Sequence, residues 1–309
     1  MLFFFDDLEF FSDAAEFREA WKEATKKTPR LTAVFVQRSQ AESRLNCAEI
    51  GYRTIADYCK ALPEYDRANV VRLYALTGGI PAAAREICAD RSFEENGCAL
   101  LQYDSAFSTL MPQWMNENFR SPESYYPILD SIARGHHRLG EIAADVGYAG
   151  NKCKTYLDAL IKADSVIVEN SRYRLKNSYY KAWCLYVYEC RHLQIKSPEA
   201  LIEKVIAELD EELAMPAFRE SCLRYMQKAD KDYLHEGILG KLKRDVTVSL
   251  PYVGKVHLDF CYMQQYCSVI GVCPEHLDDH VTKKTAETII SAVKKYCSLY
   301  NTDIVLFSA

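Results

Sequence analysis

The chain has 309 residues, enough for two or three globular units at roughly 150 residues each. Hydrophobic residues make up 49% and charged residues 26%, which excludes wholesale disorder and a fibrous repeat. Lysine and arginine total 38 against 43 acids, and the net charge of −5 excludes a polyanion binder working by bulk charge, so any nucleic-acid surface must be local.

No apolar run reaches the roughly 18 residues of a membrane span, and the opening residues carry neither a basic flank nor a cleavage site, so a cytoplasmic protein without membrane contact is expected. Twelve cysteines are scattered without a C-x-x-C pair and read as reduced, mostly buried thiols.

In chain order, Leu2-Phe3-Phe4-Phe5 is a continuous apolar run ending in Asp6-Asp7, which predicts a strand buried on both faces with acids at its carboxyl edge. Ser12 is placed to cap a helix carrying Phe17, Trp21 and Ala24, and residues 31–36 predict a second strand. A right-handed crossover makes the two strands parallel. Two parallel strands do not make a stable sheet alone, so the strands that pair with this one are expected from a preceding segment, a partner or a second copy. Residues 53–115 read as helical, with Gly78-Gly79-Ile80-Pro81 ending one helix and starting another.

The clearest patterning lies in residues 121–176. Tyr126, Ile128, Leu129, Ile132 and Ala133 line a helix ended by Gly135, and Leu139, Ile142, Ala143 and Val146 line a second ended by Gly147. Tyr156, Leu157, Leu160 and Ile161 mark a third, and residues 166–168 and 173–175 predict a hairpin turning at Asn170-Ser171. Three short helices and a two-stranded ribbon outline a winged helix-turn-helix. Its eight cations against seven acids leave a charge of only +1, but their placement is uneven. Lys152 and Lys154 open the third helix beside Asn151, the end that meets base edges, while Arg172, Arg174 and Lys176 lie in the wing that touches phosphate. His136-His137, in the first turn, read as solvated.

Beyond it come aromatic residues 179–188, an acidic amphipathic helix over 198–213, and a composition change at Met215-Pro216. A helix over 218–226, strands at 246–250, 256–260 and 304–307, an apolar run at 267–272 and a helix over 284–299 predict a second α/β unit. Cys261, Cys267, Cys273, His276 and His280 are crowded together, but the C-x5-C-x5-C spacing fits no common zinc motif and no metal site is expected.

This order of parts resembles the archaeal-type P-loop ATPase family (STAND/AAA-like) also found in bacteria. Phe3-Phe4-Phe5-Asp6-Asp7 looks like its Walker B strand, Val34-Phe35-Val36-Gln37-Arg38-Ser39 like its sensor strand, and Tyr74-Ala75-Leu76-Thr77-Gly78-Gly79-Ile80-Pro81 like its lid motif. Ile128-Leu129-Asp130-Ser131-Ile132-Ala133-Arg134-Gly135, Glu141-Ile142-Ala143 and Tyr156-Leu157-Asp158-Ala159-Leu160 look like its winged helix. The resemblance implies an α/β plus α fold: a truncated P-loop ATPase unit with helical lid at 1–115, a winged helix at 116–190, and a nuclease-like α/β domain at 191–309.

The departures from that family bear on function. No G-x-x-x-x-G-K-[ST] occurs, so Asp6 and Asp7 lack the loop that holds phosphate, and Mg-ATP is expected only if a preceding segment or partner chain supplies it. In the nuclease-like part Asp259 stands at the first acidic position, but Val272 and Pro274 replace the Glu and Lys that would share Mg2+ and orient water. Asp6, Asp7 and Asp259 therefore read as vestigial. The expected function is a catalytically degenerate regulatory or DNA-associated binding module working through residues 121–176 on duplex DNA. The alternative is an ATPase completed by a chain that brings the phosphate loop.

Overall fold

The computed structural model describes residues 2–5, 19, 22–23, 26, 32–35, 52–169, 171–233, 243–250, 254–263, 268–279, 287, 290–291 and 302–307. Asp6 and Asp7, the Ser12 cap, Asn170, Cys267, His280 and most of the helix expected over 284–299 lie outside them. The chain is mixed α/β and mostly helical, and divides into two compact units, residues 1–51 and 52–309. No helix among the described residues is long and apolar enough to cross a membrane.

In the first unit, β1 (Leu2–Phe5) pairs in parallel with β2 (Thr32–Phe35), from Leu2 opposite Thr32 to Phe5 opposite Phe35. Glu19 and Lys22 form an ion pair of 2.6 Å.

The second unit begins with α1 (Ile55–Ala61) and α2 (Arg67–Thr77). The side chains of Asp57 and Thr54 bond each other's backbone amides at the start of α1, and Asp66 caps α2. The second half of α2, from Leu73 to Thr77, is buried on every face. It stops at Gly78, whose φ of +59° and close approach to the Tyr179 backbone exclude a side chain; a Cβ there would lie 2.8 Å from Tyr179 N. At Gly79 a Cβ would lie 2.2 Å from Arg53 O, and the Arg53 amide donates to Gly79 O at 2.7 Å. The Gly-Gly pair thus lets two other backbones approach. A helix does not restart at Pro81, as the sequence suggests: residues 81–86 form consecutive turns.

Next come α3 (Phe93–Leu100) and α4 (Ala106–Asn118), then α5 (Tyr126–Ala133), α6 (Leu139–Val146) and α7 (Gly150–Lys162). The ribbon of β3 (Val166–Glu169) and β4 (Arg172–Leu175) is antiparallel, with Val166 opposite Leu175. Gly135 and Gly147 take positive φ where the helices before them end. Helix α8 (Ser178–Trp183) runs into a π-helical turn, Cys184–Tyr188, followed by α9 (Arg191–Lys196).

Helix α10 (Pro198–Leu209), a π-helical turn (Asp210–Ala214) and α11 (Met215–Tyr233) follow one another without interruption. The sequence suggests a break at Met215-Pro216; instead the chain stays helical through Pro216. The Glu212 carbonyl, four residues before the proline that lacks an N–H, accepts from Lys181 Nζ at 2.9 Å. Strands β5 (Lys243–Leu250), β6 (Gly254–Met263), β7 (Ser268–Val272) and β8 (Thr302–Leu306) form one sheet in that order. The first two pairings are antiparallel and the last is parallel. A hydrophobic core takes in buried residues between Tyr58 and Leu277.

Candidate functional site

Helix α7 sets the exposed surface. Cys153, Leu157 and Leu160 enter the core, which turns Asn151, Lys152 and Lys154 to solvent on the helix's first turns. Lys152 Nζ lies 4.2 Å from the Tyr148 ring centroid and 5.7 Å from that of Tyr156, so its charge rests on aromatic faces. Asn151 Oδ1 accepts from the Lys152 amide at 2.8 Å. Lys154 pairs with Asp158 one turn on.

The six side chains expected to meet DNA therefore do not form one free basic surface. Arg172 is exposed at the ribbon's tip, but Arg174 lies 3.9 Å from Glu169, and Lys176 pairs with Asp164. Asn151, Lys152 and Arg172 have no carboxylate partner among the described residues. Arg174 and Lys176 instead line a cleft of about 400 Å3, bounded by the ribbon, the loop before α8, α11 and β5. Arg244 crosses it, 2.6 Å from Glu220 and 3.7 Å from Glu169, and Arg224 reaches Glu220 at 3.3 Å. Lys181 holds the Glu212 carboxylate at 2.8 Å. The sequence gives no signal for this cleft, because its cations are drawn from four separate stretches of the chain.

The adjacent histidines are not merely solvated. His136 Nδ1 lies 3.2 Å from Ser131 Oγ and 3.6 Å from Asp145. His137 Nδ1 is 3.0 Å from Tyr173 O, while the Tyr173 amide donates to His137 O at 2.8 Å, which ties the first turn to the ribbon. Burial holds the His137 pKa below its ordinary value. Arg134 meets the same Asp145 at 2.8 Å, and also Asp130 at 3.0 Å and Glu189 at 3.3 Å. Burial, and then the neighbouring Glu189, push the Asp130 carboxyl up to about 6. A hydrogen bond from Ser131 and the charge of Arg134 hold Asp145 low.

Asp259, on β6, is buried. Its Oδ2 accepts from the Cys273 amide at 2.8 Å, and Arg219 Nε lies 2.9 Å from its Oδ1. A guanidinium thus stands beside this carboxylate, and among the described residues no group of three or more side chains that could hold a metal ion is found. The sequence contains no phosphate-loop motif.

No protein-family model and no curated protein matches the sequence. Among solved structures, the Walker-type ATPase PABY2304 of Pyrococcus abyssi is similar at 16% identity over 60% of this chain, with a TM-score of 0.38. The chain spans 63% of that protein's length.

Proposed function

We propose that this chain is a catalytically degenerate relative of the P-loop ATPases that acts as a DNA-associated binding module through its winged helix, residues 121–176. The observation that carries this reading is the exposed start of α7, where Asn151 and Lys152 project from a helix anchored by Cys153, Leu157 and Leu160. Asn151 offers its amide donors to a base edge, Lys152 offers a cation unclaimed by any carboxylate among the described residues, and Arg172 supplies a second contact at the ribbon tip. Lys154 and Lys176 contribute less, since each must first leave an acid, and Arg174 contributes less because it lines the cleft.

Degeneracy is supported by the missing phosphate-loop sequence and by the engagement of Asp259 with Arg219. A second reading, Mg-ATP bound together with a chain that brings the phosphate loop, draws on the parallel pairing of β1 and β2, a topology that ordinarily belongs to a wider sheet. Titration of Mg-ATP in the presence of a candidate partner tests it.

Duplex DNA titrated across a salt series tests the first reading. K152A and R172A should each weaken binding and reduce the slope of log K against log salt by about 1, while K154A should change it less. Identical curves for the parent, K152A and R172A would remove the winged helix from DNA binding.

A further inference from the structure

We propose that the cleft between the ribbon and α11 binds a small polyanion, a ligand bearing at least two negative charges on phosphate or carboxylate groups. This site is distinct from the DNA surface at the start of α7. Five cations line the cleft: Arg174, Lys176, Lys181, Arg224 and Arg244. Three carboxylates face them, those of Glu169, Glu212 and Glu220. Asp164, which is not among the lining residues, pairs with Lys176, so an excess of one positive charge remains after every acid is counted.

Charge excess alone does not make a site; the donors must also be available. Arg174 makes no hydrogen bond among the described residues, because Glu169 lies at 3.9 Å, beyond hydrogen-bond reach. Arg244 stands 3.7 Å from the same carboxylate, so Glu169 draws two guanidinium groups towards itself without engaging either closely. Such partly exposed pairs contribute roughly 0–1 kcal/mol each, and a ligand with better geometry can replace them.

An independent observation comes from Asn177, which also lines the cleft. Its Oδ1 accepts from the Tyr180 amide at the start of α8, which fixes the amide's orientation. Its Nδ2 is buried with no acceptor among the described residues. A buried donor without a partner costs about 1–3 kcal/mol, and a small shift of this amide on ligand binding would let an anionic oxygen in the cleft satisfy it. The volume of about 400 Å3 falls within the usual range of small-ligand sites and leaves room for an organic body beyond the charged groups.

Calorimetric titration at low salt, with pyrophosphate as the phosphate probe and citrate as the carboxylate probe, tests the proposal. Saturable one-site binding of either probe is expected, and the stronger one identifies the ligand's acid groups. N177D keeps the helix cap but turns the unpaired donor into an acidic oxygen, and R174Q removes the uncommitted guanidinium; each should weaken binding about tenfold or more. Circular dichroism reports whether each variant folds, and R174Q, at a partly exposed position, decides if N177D does not. Absence of saturable binding of both probes to the parent chain would overturn the proposal. So would binding to folded variants as tight as to the parent.

Discussion

Asp130 is a carboxyl held where its charge is poorly tolerated. It is buried at the inner face of α5, its Oδ1 has no hydrogen-bond partner among the described residues, and Glu189 adds a second negative charge, while the Arg134 opposite is divided among three acids. Its folded pKa of about 6 lies above the ordinary 3.8, so the folded state binds this proton more tightly than the unfolded chain does. Asp130 therefore favours folding below pH 3.8, and that contribution is lost as the pH rises to about 6, a swing on the order of 2 kcal/mol. His137 acts in the opposite sense. Its pKa is lowered, so folding favours the neutral ring, and the benefit present above pH 6.5 is lost on acidification. Replacing Asp130 with Asn should remove the first effect and leave the second, so urea unfolding between pH 7 and 4 should show D130N losing stability on acidification more steeply than the parent. Parallel pH profiles would show that Asp130 has no unusual proton affinity.

At the scale of elements, α8 makes good what two prolines take away. Pro112 lies inside α4 and leaves the Ser108 carbonyl without its helical donor; Trp183 Nε1 bonds it at 2.9 Å. Lys181, two residues earlier on α8, serves the Glu212 carbonyl before Pro216 in the same way. The two bonds differ in burial, and burial decides their worth. Ser108 and Trp183 are buried, so W183F strands a carbonyl away from water and should cost about 2 kcal/mol in urea unfolding. Lys181 is partly exposed and water can take its place, so K181M should cost about 0.5 kcal/mol. Equal losses would show that these carbonyls are not what the two side chains contribute.

The same prolines mark where local reading stops. The three helices of residues 126–162 are legible because apolar residues recur every three or four positions and Gly135 and Gly147 end the first two. The ribbon is legible from apolar residues on both sides of Asn170-Ser171. The helices read over 198–213 and 218–226 are one continuous run, and the lysine that serves the carbonyl before Pro216 lies 31 residues before Glu212 in sequence. The candidate site divides likewise. Exposure of Asn151 and Lys152 follows from α7's own periodicity, whereas the turning of Arg174 and Lys176 towards a cleft depends on Glu169, Arg244 and Asp164, which no spacing rule connects.

The second unit as a whole is tied together over long stretches of sequence. Arg72, on α2, forks onto both oxygens of Asp210 at 2.7 and 2.6 Å and reaches Asp278 at 2.9 Å, joining residues 138 and 206 positions apart in sequence. The hydrogen bonds it donates to Asp210 are the main reason its guanidinium pKa is raised. The side chain is only 18% exposed, which makes the fork worth more than a surface pair, but Asp210 and Asp278 are 41% and 69% exposed, which limits the gain. R72A should therefore lower unfolding stability by about 1–2 kcal/mol, and R72K should recover little, because an ammonium group does not reproduce the two-pronged geometry. Since the core is continuous from Tyr58 to Leu277, that loss should move one cooperative transition to lower urea with its slope unchanged. A second transition in R72A, split off at low urea, would instead mean that the segments near residues 210 and 278 fold independently of α2 and that Arg72 is their principal link to it.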